Sequence, residues 1–449
     1  MTQAGKKSAR ELALQVIKRV EKDQAYLDRL VDYYLERTEL DPRDRALFTE
    51  LAYGSIRHQR LLDFDLEQFL DRKISQTDLT TRNLLRLGAY QILFLDRIPA
   101  HAAVNESVRL SVSYARPLLN AVLRRLSENK NTLKSPDQIP DPATRLGVKY
   151  SHPDWMVESA IQELGAKEAE ELLNADNQRP MLTLRVNPLR LSREELLAFL
   201  EREGIPAGSG KFSPWAIRIK EHKSPILLPG YQQGWFAIQD EASQLVVMIL
   251  DPQPGERILD ACSAPGTKTL QIFQLMQKSG KLISADLNEN RLNLIHPEAE
   301  RLGLTGFQTL AQDLTEPLNI PENELGRFDK ILLDAPCSGL GAIRKHPEIK
   351  WQRKREDISA LADLQGKLIK NLAQYLKPGG VLVYSTCTWT REENQEVVSK
   401  LIASGEFKLE DPKPFLPDYA RTLVNDKILQ TWPHRDSIDA FRAFRLRRK

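Results

Sequence analysis

Residues 257–277 read RILDACSAPGTKTLQIFQLMQ. The apolar run RILDA has the length and composition of a buried strand. A glycine turn follows it, and TKTLQIFQLMQ has the length of a helix. The unit recurs along the chain. KLISAD (281–286) precedes ENRLNLIHPEAERLG (289–303), FQTLAQD (307–313) follows, KILLDAPC (330–337) precedes ISALADLQGKLIKNLAQYL (358–376), and VLVYSTCT (381–388) closes the series. Strands alternating with helices of about 10–15 residues predict a parallel sheet wound on both faces, a Rossmann-like α/β domain. KILQTWPH (427–434) and DAFRAFRLR (439–447) read as an antiparallel pair closing one edge.

The chain upstream has a different texture. The 449 residues exceed one ordinary core, so several domains are expected. Up to about residue 130 the pattern is helical throughout. Ser8 and Glu11 form a capping box ahead of Leu12, Val16, Ile17 and Val20, and Asp41-Pro42 opens a second helix. The polar, proline-rich stretch at 130–153 reads as a linker. Next, MLTLRVNPLR, SREELLAFLEREGIPAG and WAIRI suggest a small α+β module. The expected boundaries are a helical domain at 1–135, linker and connector at 136–175, the module at 176–235 and the α/β domain at 236–449.

Composition narrows the setting. A net charge of +3 neither demands nor excludes a nucleic-acid partner. No apolar run suggests a signal peptide or membrane span. Three cysteines, an odd number, argue against a disulfide framework and favour a reducing, cytoplasmic compartment. Nothing demands a dimer, and a monomer is expected.

Ligands of such sheets bind at the carboxyl ends of strands. All three cysteines, Cys262, Cys337 and Cys387, fall at strand ends, as do Asp260, Asp286, Asp313 and Asp334. The turn at 260–269 lacks both GxGxxG and GxxxxGK[ST], which weakens dinucleotide and P-loop readings. Acids ending four strands suit a ligand with hydroxyl, amino and ammonium donors, as S-adenosylmethionine has. A pair of thiols facing one substrate suggests addition followed by elimination, the chemistry that methylation at carbon 5 of a pyrimidine requires. The bland alternative is three inert buried thiols. No CxxC or HxxxH spacing supports zinc. IRKHPEIKW (343–351) is basic with an aromatic inside. Arg344, Lys345, His346, Lys350 and Trp351 are therefore expected to hold phosphates and stack on a base, against the alternative of a solvated helix face.

DACSAPGTKT, DAPCSG, RKHPEIKW and YSTCT together resemble the motifs of the Nol1/Nop2/Sun RNA 5-methylcytosine methyltransferases, with the bacterial Sun/Fmu branch the nearest match. PAHAAVNESVRL and NAVLRRL resemble that branch's NusB-like helical domain, and LRVN and FAIQDEASQL its central RNA-binding segment, so the likeness covers nearly the whole chain. It implies S-adenosylmethionine touched by Cys262, Ser263, Ala264, Pro265, Gly266, Thr267 and Lys268 and by Asp286, Asp313 and Asp334. It implies Cys387 as nucleophile, Cys337 as the thiol for product release, Asp334 at N3 of the base, and Lys268 among the catalytic groups. Arg185 and Asn187 join the expected RNA contacts. The implied substrate is cytosine 967 of 16S ribosomal RNA, free or in a small-subunit assembly intermediate.

Two positions depart from the family pattern. Thr267 stands where Gly-Gly-Lys is usual, and a β-branched residue should avoid positive φ there. Asp439-Ala440-Phe441-Arg442 replaces a DGFF-like close, a change expected to affect a tail strand rather than the reacting groups. On spacing alone a DNA-type enzyme with Cys337 as nucleophile would fit, and the resemblance decides against it. The alternatives kept are a methyltransferase acting on another RNA and a non-catalytic RNA-binding or assembly factor.

Overall fold

A computed structural model describes residues 7–220, 225–319 and 328–449. The chain divides into two units. One comprises 1–178 and 343–354, the other 179–342 and 355–449.

The first unit is helical among its described residues. Ser8 accepts from the Glu11 amide at 3.2 Å and starts helix Ala9–Asp23, whose Leu12, Val16, Ile17 and Val20 are buried as their spacing requires. Asp41 caps Pro42–Arg57 in the same way, at 2.8 Å from the Asp44 amide. These helices pack with Leu79–Phe94 and Arg116–Asn129 around Phe48, Leu51, Leu84 and Leu123.

The stretch read as a linker is ordered structure. Pro142–Lys149 is a helix capped by Asp141, Leu146 and Val148 are buried, and Ser151 and His152 have no exposure. Its Asp-Pro pair, like Asp41-Pro42, is a helix start. Polar composition alone does not separate a cap from a linker.

In the second unit four antiparallel strands come first: β1 (Leu182–Val186), β2 (Ala207–Ser209), β3 (Ala216–Ile219) and β4 (Phe236–Ile238), in the order β2-β3-β1-β4. Helix Arg193–Arg202, opened by a Ser192/Glu195 capping box, contributes Leu196 and Leu200 to their core. The module therefore extends beyond residue 235, because β4 pairs with β1.

The large sheet contains β5 (Arg257–Ala261), β6 (Lys281–Asp286), β7 (Gln308–Ala311), β8 (Phe328–Asp334), β9 (Leu376–Thr386), β10 (Phe407–Glu410), β11 (Val424–Asn425), β12 (Ile428–Gln430) and β13 (Arg442–Arg448). The order is β11-β12-β13-β9-β8-β5-β6-β7, with β10 beside β13. Strands β5 to β9 are parallel, and β13 runs antiparallel to β9 and β12. Alternate residues feed two cores. Ile258, Leu332 and Val383 join one with Leu270 and Ile295; Leu259, Ile331, Leu333 and Leu382 join another with Leu368 and Val397. The sheet is thus covered on both faces, as the apolar strands predict. From β5 the chain builds outward through β6 and β7, then crosses back to place β8 on the opposite side of β5. This reversal sets the crevice at the carboxyl ends of β5 and β8.

Candidate active site

The loop leaving β5 is shaped by one glycine. Gly266 has φ +99° and precedes helix Thr267–Leu275; a Cβ there would lie 2.5 Å from Ile295 Cγ1. Thr267 is the first helical residue, so the expected conflict with its β-branched side chain does not arise. Cys262 occupies left-handed space at φ 58°. Burial first, then the nearby carboxylates of Asp286 and Asp334, push its thiol well above the ordinary range, as suits an uncharged wall.

Asp286 ends β6 and faces that loop. Its Oδ2 accepts from the Ala264 amide at 3.1 Å and its Oδ1 from the Asn288 amide at 3.0 Å. Each oxygen keeps a lone pair for a hydroxyl donor. Asp313 is exposed at the end of β7, and Thr315 donates to its Oδ1 twice. Asp260 is fully buried. Thr269 donates to its Oδ2 at 2.6 Å, its Oδ1 has no partner among the described residues, and burial lifts its carboxyl to about 7. Hydroxyl-accepting carboxylates, an orphaned acidic oxygen and a helix start fit a ligand rich in hydroxyl and amino donors.

The reacting groups converge from β5, β8 and β9. Asp334 ends β8 opposite Ser385 of β9, whose Oγ donates to its Oδ1 at 2.7 Å. Lys268 Nζ donates to Asp334 Oδ2 at 2.6 Å and lies 5.2 Å from the centre of the Phe441 ring. Burial disfavours the Lys268 ammonium, but the charge and hydrogen bond of Asp334 outweigh it, and the net shift is upward. The Sγ atoms of Cys337 and Cys387 are 3.3 Å apart, and neither forms a disulfide. The shifts within this pair oppose each other. Cys387 is lowered, first by the hydrogen bond from Cys337 and then by the Lys268 charge, against its burial and Asp334. Cys337 is raised well up, first by sharing that bond with Cys387 and then by burial, with Glu393 and Asp334 adding to it. The asymmetry favours the thiolate on Cys387.

The tail departs from expectation. Phe441 covers Lys268, and Gly341, in the loop after Cys337, packs so closely on Ala440 that a Cβ would meet the Ala440 oxygen at 2.1 Å. The segment after β12 is therefore a wall of the reacting centre, not a remote strand.

The basic segment also departs from expectation. Arg344, Lys345, His346, Lys350 and Trp351 lie in the helical unit. Lys350 has no exposure, and its Nζ donates to Arg57 O at 3.1 Å, Ser151 O at 3.1 Å and Asn177 Oδ1 at 2.7 Å. Trp351 Nε1 donates to Ile56 O at 2.8 Å, the Arg344 carbonyl accepts from Arg57 at 3.0 Å, and Arg344 itself is buried. His346 Nδ1 lies 3.6 Å from Glu348 Oε1, while Lys345 is half-buried. This is an internal anchor rather than a phosphate-facing surface.

Arg185 and Asn187 are corrected likewise. Both are buried. Arg185 donates to Gln239 and to Thr267 O, and Asn187 donates to Gly234 O and Leu302 O. The C-terminal arginines are paired too: Arg445 and Arg447 with Glu410, and Arg448 with the Leu376 carbonyl.

Sequence reasoning missed Glu393 and Asn394. Both are fully buried beside the two cysteine loops. Two polar residues a few positions beyond STCT were the available signal.

A Rossmann-like methyltransferase is the class that this fold and site define. A family model described as "16S rRNA methyltransferase RsmB/F" matches residues 247–447, a NusB family model 7–128, and a model of the ferredoxin-like domain of RsmF/B-like methyltransferases 152–225. A Synechocystis sp. protein named "Probable ribosomal RNA small subunit methyltransferase B" is 37% identical over 444 residues, 97% of this chain and 98% of its own. The chain belongs to the RsmB/F family of S-adenosylmethionine-dependent 16S rRNA methyltransferases. Ribosomal RNA small subunit methyltransferase B of Proteus mirabilis is 37% identical over 372 residues, 81% of this chain and 85% of its own. The crystal structure of a methyltransferase homologue from Pyrococcus horikoshii, 27% identical, aligns with a TM-score of 0.59 over 69% of this chain and 100% of that one. Among the described residues no helix is long and apolar enough to cross a membrane.

Proposed function

We propose that the chain methylates carbon 5 of cytosine 967 in 16S ribosomal RNA through a covalent bond between Cys387 and carbon 6 of the base. The 3.3 Å approach of the two sulfurs, beside the Lys268–Asp334 pair, carries this reading. The base is turned out of its RNA context to reach the crevice. Carbon 5 of cytosine is not nucleophilic. When the Cys387 sulfur bonds to carbon 6, electron density moves toward N3 and carbon 5 becomes enamine-like. The Lys268–Asp334 pair meets N3 and supplies the proton that balances this charge.

When bound, S-adenosylmethionine supplies an electrophilic sulfonium methyl group. The residues that would hold it are Cys262 to Lys268, with Asp286, Asp313 and Asp334. Once carbon 5 carries its methyl, the carbon 5 proton must leave. The C–H pair then restores the ring double bond, the sulfur–carbon pair returns to Cys387, and N3 gives its proton back to the Lys268–Asp334 pair. Cys337 assists as base. In the adduct the Cys387 thiolate is consumed, so the hydrogen bond and the charge through which it raises Cys337 are both gone. The second thiol thus ionises more readily at the step that needs it. We place the reaction in the cytoplasm, with the chain acting as a monomer on the RNA or an assembly intermediate.

Two variants test the assignment with RNA and cofactor. Cys337→Ala accumulates a covalent protein–RNA adduct, resolved on a denaturing gel, and Cys387→Ala forms none and is inactive. The reverse pattern would exchange the roles, and adducts from neither would remove the mechanism. Asp286→Ala weakens S-adenosylmethionine binding about tenfold or more, the scale of one charge-assisted hydrogen bond. Unchanged affinity by calorimetry would remove Asp286 from the cofactor site.

A further inference from the structure

Two adjacent buried side chains hold the two cysteine loops, each making most of its contacts to one of them. The Glu393 carboxylate accepts from the Ser338 amide at 2.8 Å and the Ser338 hydroxyl at 2.5 Å. It also accepts from Thr390 Oγ1 at 2.8 Å and Gln365 Nε2 at 3.2 Å. Gln365 Nε2 donates in turn to Pro336 O at 2.9 Å. The backbone is therefore gripped immediately before and immediately after Cys337.

Asn394 serves the other loop. Its Oδ1 accepts from Thr386 Oγ1 at 2.7 Å, and its Nδ2 donates to Thr390 O at 2.8 Å and Thr388 O at 3.2 Å. These contacts hold both neighbours of Cys387. Two links join the systems, Ser338 Oγ to Thr388 Oγ1 at 2.8 Å and Thr390, which donates to Glu393 and accepts from Asn394. The Tyr384 hydroxyl, donating to Glu393 O at 2.6 Å, ties the pair to β9. A buried carboxylate with four donors is costly to desolvate, and a bland core would replace it with apolar residues. Its placement makes sense where loop geometry must be held to a fraction of an ångström.

We propose that Glu393 and Asn394 are positioning residues that divide the reaction between them, Glu393 aligning Cys337 for release and Asn394 aligning Cys387 for addition. The proposal rests on the thiol roles given above. Loosening the Cys337 loop leaves addition intact and slows elimination. Loosening the Cys387 loop prevents addition itself.

The experiment uses the full chain, transcribed 16S ribosomal RNA and S-adenosylmethionine, reading covalent adduct and methyl transfer in parallel. Glu393→Ala raises the ratio of adduct to turnover at least tenfold over the unaltered protein, and Glu393→Gln, which keeps an acceptor for the Ser338 amide, restores most of the difference. Asn394→Ala loses adduct and turnover together. A variant of Glu393 that merely damages the fold would lower both in proportion, and that outcome overturns the proposal. Should Glu393→Ala not fold, Ser338→Ala removes a single hydroxyl from the same carboxylate and must raise the ratio in the same direction; an unchanged ratio overturns the proposal. Cys337→Ala serves as control. If it traps adduct and the Glu393 variants do not, only this inference falls; if it traps none, the reading beneath it falls.

Discussion

Lys268 and Lys350 are both buried, one in each unit, and they are buried differently. Lys268 faces a carboxylate at 2.6 Å and is raised above its ordinary value by that charge despite burial. Lys350 faces two carbonyls and an amide oxygen, and burial drives it well below 10.5, with Asp176 opposing and Arg57 adding. The first is kept charged beside a thiol that gains from a cation. The second is a three-pronged donor whose value lies in satisfying oxygens that would otherwise be orphaned. A basic residue next to a catalytic motif can thus be a reagent or a staple. Its partners decide which.

The contrast can be broken in three ways. Lys268→Met has the largest effect: methyl transfer falls by ~10²–10³, as for loss of one preorganised electrostatic group, while thermal stability changes little. In the same variant the pH at which Cys387 becomes half-alkylated by iodoacetamide moves upward, because the ammonium that favours its thiolate is gone. Equal turnover in the variant would reduce Lys268 to a structural role. Lys350→Met comes next and acts through the fold. Three buried acceptors lose their donor, at a net cost of about 2 kcal/mol after relief of desolvation, and hydrogen exchange quickens in residues 343–354 and around Arg57. Unchanged exchange there would mean that the anchor does not depend on its ammonium.

The smallest effect is a pH dependence. With Lys350 lowered in the fold and near 10.5 in the unfolded chain, the unfolded state binds more protons between those values. Stability therefore rises with pH through that window and levels off above it. The difference in stability between the unaltered protein and Lys350→Met carries this slope, and a flat difference across alkaline pH would show that Lys350 is not depressed.

Much of the α/β domain is legible in the sequence because it obeys local rules. Apolar runs of strand length alternate with helices, and the residues that end them, Asp286, Asp334 and the sites around Cys337 and Cys387, inherit their place from the topology. Gly266 could be read in the same way, and the structure locates the positive φ there rather than at Thr267. What failed was whatever depends on distant partners. Nothing in IRKHPEIKW says that Lys350 meets Ser151 or that Trp351 meets Ile56, since those oxygens lie roughly two and three hundred positions away. Arg185 was misread for the same reason, as its acceptors sit at Gln239 and Thr267. Glu393 carries no local sign of its place, because Ser338 and Gln365 are brought beside it only by the fold. Charge is visible in a sequence; burial is not.

The anchor at 343–354 has a consequence for biosynthesis. The helical unit is discontinuous: most of it is made first, yet its last piece arrives only after β5 to β8 and the Cys337 loop have been translated. Until then the carbonyls of Arg57 and Ser151 lack their lysine, and the amide of Leu27 lacks the Glu348 oxygen that accepts from it at 3.1 Å. The amino-terminal helices cannot reach their final state as an early, independent product of the ribosome. That unit is therefore completed only after Cys337 has been synthesised.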